Sequence, residues 1–236
     1  MSPTIDRVQE LLRREVPIKR SRDLQRKVLL ACGLGSSATY VVANVAGALR
    51  GRGYSTVNQS VSELTAIGAP SRAIALPIFV VSDALALAFG IGVLESAGRN
   101  SRLRVAGWAL VGVGVLDMVS PFTPMHVRER LAAGEQTGTD TAHLWVTSLT
   151  TLLILAAMGF GAAGLGKRFR FYSIASVVAM TGGGLLTLTQ MKDVAANLPT
   201  PLNGVYERIG IGGYLLWMAV LAVVLLRAAR APRYRD

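Results

Sequence analysis

The chain has 236 residues, 51% of them hydrophobic and 17% charged, with 25 glycines and a mean hydropathy of +0.43. That composition excludes an ordinary soluble domain and points to a membrane protein. The formal charge is +11, but the basic residues fall between apolar runs instead of along one soluble face, so nucleic acid is not the expected partner.

In chain order, residues 1–27 open with Ser2 as a candidate N-cap and Pro3 at the first helical position. Ile5, Val8, Leu12 and Val16 then recur on one face until Pro17, where the pattern predicts a stop. Eight basic residues stand against four acidic ones through Lys27. The segment reads either as a basic amphipathic helix lying on the anionic cytoplasmic leaflet or as a plain topogenic flank. Six apolar runs follow, at residues 28–49, 73–94, 105–122, 143–165, 171–191 and 209–226. Each is about as long as the roughly 20 helical residues that span a hydrocarbon core. The expected fold is all-α: one six-transmembrane-helix domain over residues 28–226, followed by a basic tail at 227–236.

The segments on one side of that bundle, 1–27, 95–104, 166–170 and 227–236, carry 18 of the 25 Lys and Arg residues. Those on the other side, 50–72, 123–142 and 192–208, carry 7. Positive charge is retained inside, so both termini are expected in the cytoplasm, with the three longer loops outside. Cys32 is the single cysteine, so no intrachain disulfide staples the loops, and a lone thiol in an apolar helix reads as packing. "GFGAAG" at 159–164 matches a dinucleotide fingerprint in letters only, because it lies inside a span and not between a strand and a helix. It reads, with "TGGGLL" and "GIGGY", as small residues that let helices approach closely. No cofactor motif is found, and no metal signature.

Asp83, in "IFVVSDALALAFGIGVL", falls near the bilayer midplane. A charge at that depth costs at least ~3 kcal/mol, so the carboxyl is expected to be neutral, paired or facing a wet cavity. Its helical neighbours Phe79, Val80, Ala86 and Leu87 offer no partner, which leaves Ser36, Thr39, Tyr40, Thr181 and Tyr214 on other spans at matching depth. None is cationic. One layer outward stand Asn44, Asp117, Ser120, His143, Thr147, Ser148, Thr187 and Gln190. Above them come Glu63, His126, Glu207 and Arg208. The cytoplasmic halves of most spans offer mainly Leu, Val, Ala and Gly, so the pattern predicts a polar funnel open to the outside and closing near Asp83.

"SVSELTAIGAP" after the first span, "DMVSPFTP" at the end of the third, "DTAHLWVTSL" opening the fourth and "ERIGIGGYLLW" opening the sixth resemble the six-span bacterial and archaeal membrane family catalogued as domain of unknown function 998. The resemblance covers nearly the whole chain after the N-terminal helix, and singles out Ser62, Glu63, Asp117, His143, Glu207 and Arg208. Asp83 lies outside its pattern. More distantly the layout is similar to the Frag/DRAM/Sfk membrane proteins. That likeness implies a lipid-related role in the cell membrane of a prokaryote.

Three functions stay open on the residues. A pocket built from Asp83, Asp117, His143, Glu63, Asn44, Tyr40, Ser62, His126, Gln190, Glu207 and Arg208 would bind, move or remodel a lipid or other amphiphile, with Arg208, Arg128 or Arg130 on a phosphate. Membrane lipids are the expected partners, and the oligomeric state is not readable. Alternatively, Asp83, Asp117, His143 and Glu63 supply acid-base chemistry on a lipid or isoprenoid substrate. His126 and His143, seventeen apart, make no metal signature, and no H-E-x-x-H and no nucleophile elbow accompany them. In the third reading the chain is a scaffold whose Glu63, Arg72, Glu207 and Arg208 only lock the outer loops.

Overall fold

A computed structural model describes the backbone of residues 3–230 and the side chains of residues 21–229. The helices are α1 (Pro3–Arg50), α2 (Arg72–Ala97), α3 (Ser101–Val119), α4 (Arg128–Ala132), α5 (Gly138–Gly164), α6 (Lys167–Thr189), α7 (Met191–Ala195) and α8 (Asn203–Arg230). Two 3-10 turns, Ser62–Thr65 and Ser120–Phe122, complete the regular structure, and no strand occurs among the described residues. Six helical segments are long and apolar enough to cross a membrane: Ser21–Arg50, Arg72–Ala97, Ser101–Phe122, Gly138–Gly164, Lys167–Thr189 and Asn203–Ala229. The chain is a multi-pass membrane protein, and Val42, Val178 and Leu216 on the bundle exterior give it an apolar surface where a soluble protein carries polar groups.

The expected break at Pro17 does not occur. The α1 backbone is helical from Pro3 to Arg50. Proline removes one hydrogen bond and crowds the preceding turn, which weakens a helix without forbidding it, and Pro77 sits inside α2 in the same way. The Ser2 cap, the apolar face assigned to residues 5–16 and the tail beyond Arg230 lie outside the described residues. Helices α5 and α8 also start earlier than their apolar runs, because "GTDTA" and "NGVYER" are polar turns that hydropathy cannot see. The first is fixed by a capping box, in which Thr137 and Asp140 satisfy each other's backbone N–H groups.

The six long helices form a closed ring in the order α1, α2, α3, α5, α6, α8 and back to α1. The N- and C-terminal ends of the ring share one end of the bundle with two tight turns. Asn100 ties those turns together: its Oδ1 accepts from Leu103 N–H at 3.0 Å and its Nδ2 donates to the Gly164 carbonyl at 2.8 Å. This terminal half is filled by a core that includes Leu30, Phe89, Leu110, Met158, Trp217 and Leu221. Trp217 is 0% exposed and its indole N–H donates to Ser173 Oγ at 2.9 Å, so the one polar atom of the largest core side chain is satisfied.

Close approach of helices depends on glycine at several crossings, two of them especially tight. A Cβ at Gly183 would lie 2.4 Å from the Tyr206 carbonyl oxygen, and one at Gly114 would lie 2.6 Å from Leu87 Cα. Helices α6 and α8, and α3 and α2, therefore pack backbone to backbone, as expected of "TGGGLL", and α6 passes through that motif unbroken.

Candidate functional site

At the end opposite the termini, three long loops interlock into a cap. "SVSELTAIGAP" forms its centre: Leu64 and Ala66 are fully buried, and the Glu63 carboxylate accepts from Ser60 N–H at 2.7 Å, Ser60 Oγ at 3.0 Å and Gln59 Nε2 at 3.0 Å. Glu63 is 5% and Arg128 7% exposed, and they form a bidentate ion pair through Nε and Nη2, the latter at 2.8 Å from Oε2. Arg128 Nη1 reaches the third loop at Thr200 Oγ1, 2.7 Å away, and Thr200 donates to the Asn58 carbonyl at 2.7 Å. One cation thus joins all three loops.

A second arginine fastens the start of α8. Arg208 donates to Asn44 Oδ1 from Nε and Nη2, to the carbonyls of Thr56, Gln59 and Gly204 from Nη1, and to Tyr54 Oη at 2.6 Å. Burial pushes the Tyr54 phenol up to about 12, against the pull of the Arg208 guanidinium. Tyr54 therefore stays neutral and donates its own proton to the Ser60 carbonyl at 2.8 Å. The neighbouring Glu207 does not pair with Arg208; its Oε2 accepts the Val61 N–H. Arg72 donates to the Thr65 carbonyl and not to Glu63.

Beneath this cap the ring encloses a cavity of about 610 Å³. Its roof is Val61, Ser62 and Thr65, and its walls carry Asp83 from α2, Asp117 from α3, His143 from α5, and Glu207 and Tyr214 from α8. Leu155, Leu215 and Met218 make the lower wall apolar. Asp83 has no hydrogen-bond partner among the described residues and faces this space. Beside it Ser82 Oγ, also in the lining, donates to the Ser36 carbonyl at 3.0 Å and ties α2 to α1. His143 Nδ1 lies 3.1 Å from the Thr123 carbonyl, which can only accept, so Nδ1 carries the proton and the neutral ring keeps Nε2 as an open acceptor. The Tyr214 hydroxyl is buried with no partner among the described residues.

The ring is not equally tight all round. In α5, burial beyond the capping residue Asp140 begins only at Ile154, and in α6 the buried positions are Phe169, Ser173, Ser176 and Gly183. Toward the cap both helices are exposed on several faces at once. Leu152 is 62% and Leu185 59% exposed although both line the cavity, and so does Thr181, which is also exposed. Helices α5 and α6, joined at Gly164–Lys167, thus present cavity residues to the exterior, which marks a side opening between them.

The structure brings Asp83, Asp117, His143, Tyr40, Ser62 and Glu207 to one cavity. Glu63, Asn44 and Arg208 belong to the cap above it. His126 is outside as well: its Nδ1 donates to Asp140 Oδ2 at 2.9 Å and its N–H to Oδ1 at 2.7 Å, which anchors the second loop on the start of α5. Gln190 donates to the Pro201 carbonyl at 3.0 Å in the third loop. The sequence reading missed Asp140 as the partner of His126, although T-x-x-D at Thr137–Asp140 marks a capping box. It also missed Thr150 and Thr151 as cavity residues. Their signal is helical spacing: His143, Thr147 and Thr150 or Thr151 share one face of "HLWVTSLTTL".

The model of one protein family, described as Protein of unknown function (DUF998), matches residues 34–224, which include nearly all of the membrane domain and the whole cap. No curated protein and no solved structure matches the chain.

Proposed function

Since the chain belongs to this family, whose description assigns no activity, we propose from the cavity that it takes up an amphiphilic molecule, such as a lipid, from the outer leaflet of a prokaryotic cell membrane. The head rests against Asp83 and Asp117, and the tail lies along Leu155 and Leu185 toward the α5–α6 opening. The observation that carries this reading is a largely apolar cavity with three carboxyl groups in its wall, capped above and open at the side. An aqueous solute would have to pass the cap and its buried Glu63–Arg128 pair. A molecule already in the membrane needs only the gap between α5 and α6. The distribution of basic residues supports the orientation, with both termini in the cytoplasm and the cap outside.

Binding is better supported than acid-base chemistry. Asp83, Asp117, His143 and Glu207 line the cavity, yet none is hydrogen-bonded to another. Reconstitution of the full chain in vesicles that contain a phospholipid with a diazirine at its tail end, followed by illumination and peptide mapping, tests the reading. Adducts on Leu155 and Met180 inside the ring are expected, beside those on the exterior. Adducts confined to exterior residues such as Val42 and Val178 would contradict it.

A further inference from the structure

We infer that the cavity selects an amphiphile whose head carries a positive charge, an amine or a quaternary ammonium, and disfavours one whose head is only anionic. This rests on the uptake of an amphiphile proposed above and specifies its chemistry.

Three carboxyl groups line the cavity, on Asp83, Asp117 and Glu207, and no Lys or Arg does, in a chain with 25 Lys and Arg residues. The two arginines best placed to meet a phosphate are committed elsewhere. Arg128 is held by Glu63, Thr200 and Asn58, and every nitrogen of the Arg208 guanidinium donates within the cap. An anionic head would therefore enter a poorly solvated space that holds no cation to offset its charge, and any of the three acids that ionises there repels it. An ammonium head supplies the counter-charge that the cavity lacks.

The remaining lining adds groups that a cationic head can use. Tyr214 is 8% exposed, and its hydroxyl has no partner among the described residues, so a buried polar atom in the cavity wall is left for the head of a ligand, and its lone pair suits an amine. His143 Nε2 is a further open acceptor. Tyr40 and Phe79 meet edge to face with ring centroids 4.8 Å apart, and both line the cavity, so aromatic surface is available to a cation. Several hydroxyls have no proton to offer an anion: Thr65, Thr151 and Thr187 donate to the carbonyls of Ser62, Thr147 and Gly183.

The test uses the full chain in an uncharged detergent and three probes with one tail length: tetradecyltrimethylammonium, tetradecyl phosphate and tetradecyl maltoside. The readout is protection of a Leu155→Cys thiol from maleimide in a Cys32→Ser background. The ammonium probe is expected to protect at about one-tenth or less of the phosphate concentration, the worth of roughly one charge-assisted or cation–π contact. Asp83→Asn with Asp117→Asn should abolish that preference while the maltoside still protects, which shows the cavity intact. Equal or stronger protection by the phosphate, or a preference unchanged in the double variant, overturns the inference. Protection by the maltoside alone also overturns it but leaves the uptake of an amphiphile standing. No protection by any probe overturns both.

Discussion

Glu63 accepts hydrogen bonds from Arg128, Ser60 and Gln59, whereas Asp83, also removed from bulk water, accepts none from the described residues. The two acids should respond differently to the same isosteric change. Glu63→Gln leaves the Arg128 guanidinium buried without its counter-charge, and breaking such a pair costs about 3 to 5 kcal/mol. Replacing both partners, as in Glu63→Gln with Arg128→Met, should recover part of that loss, because no charge then stays unpaired. Asp83→Asn removes no bond to the chain, and its thermal unfolding should stay close to that of the parent protein. Thermal unfolding followed by tryptophan fluorescence checks all of these variants together. Equal destabilisation by Asp83→Asn and Glu63→Gln would make Asp83 a structural residue and not one that awaits a ligand.

Helix α6 leans on α8 at Gly183 and is free of α5 toward the cap, and this asymmetry opens the side of the ring. Gly183→Ala would press a methyl group onto the Tyr206 carbonyl and should destabilise by about 1 to 3 kcal/mol, the usual cost of overpacking. A Cβ at Gly182 would meet nothing within 4 Å, so Gly182→Ala should be neutral or stabilise by up to about 1 kcal/mol. Denaturation midpoints of the two variants give the comparison, and equal midpoints would contradict the packing described. The helices themselves were legible because an apolar run about 20 residues long has few alternatives in a membrane. Their polar first turns, at Gly138 and Asn203, were not, because capping and loop contacts set them. The continuity of α1 through Pro17 was misread because proline acts as a stop only where nothing else favours the helix.

Six helices in a ring, a cap over one end and a packed core at the other leave a large cavity, apolar but for a few acids and hydroxyls, that reaches the depth of Asp83. The sequence indicated that depth through the positions of Asp83, Asp117 and His143 along their spans. It did not indicate which polar residues belong to the cap. Glu63 and Arg128 are 65 positions apart, and only the fold shows that Arg128, and not Arg72, reaches Glu63. Arg208 likewise reads as a ligand group in sequence, because three of its five acceptors, on Tyr54, Thr56 and Gln59, lie in a loop whose course no periodicity records. The proposed orientation predicts that, in a Cys32→Ser background, Glu135→Cys is labelled by an impermeant maleimide on intact cells. Arg99→Cys, at a short turn on the other end, should be labelled only after permeabilisation, and the reverse pattern would invert the molecule. The central claim is that the cavity holds an amphiphile, and native mass spectrometry of the gently extracted protein tests it most directly. The parent chain should retain a defined amphiphile that Asp83→Asn with Asp117→Asn loses at unchanged thermal stability. A bare parent chain, or the same amphiphile held equally by both proteins, would contradict it.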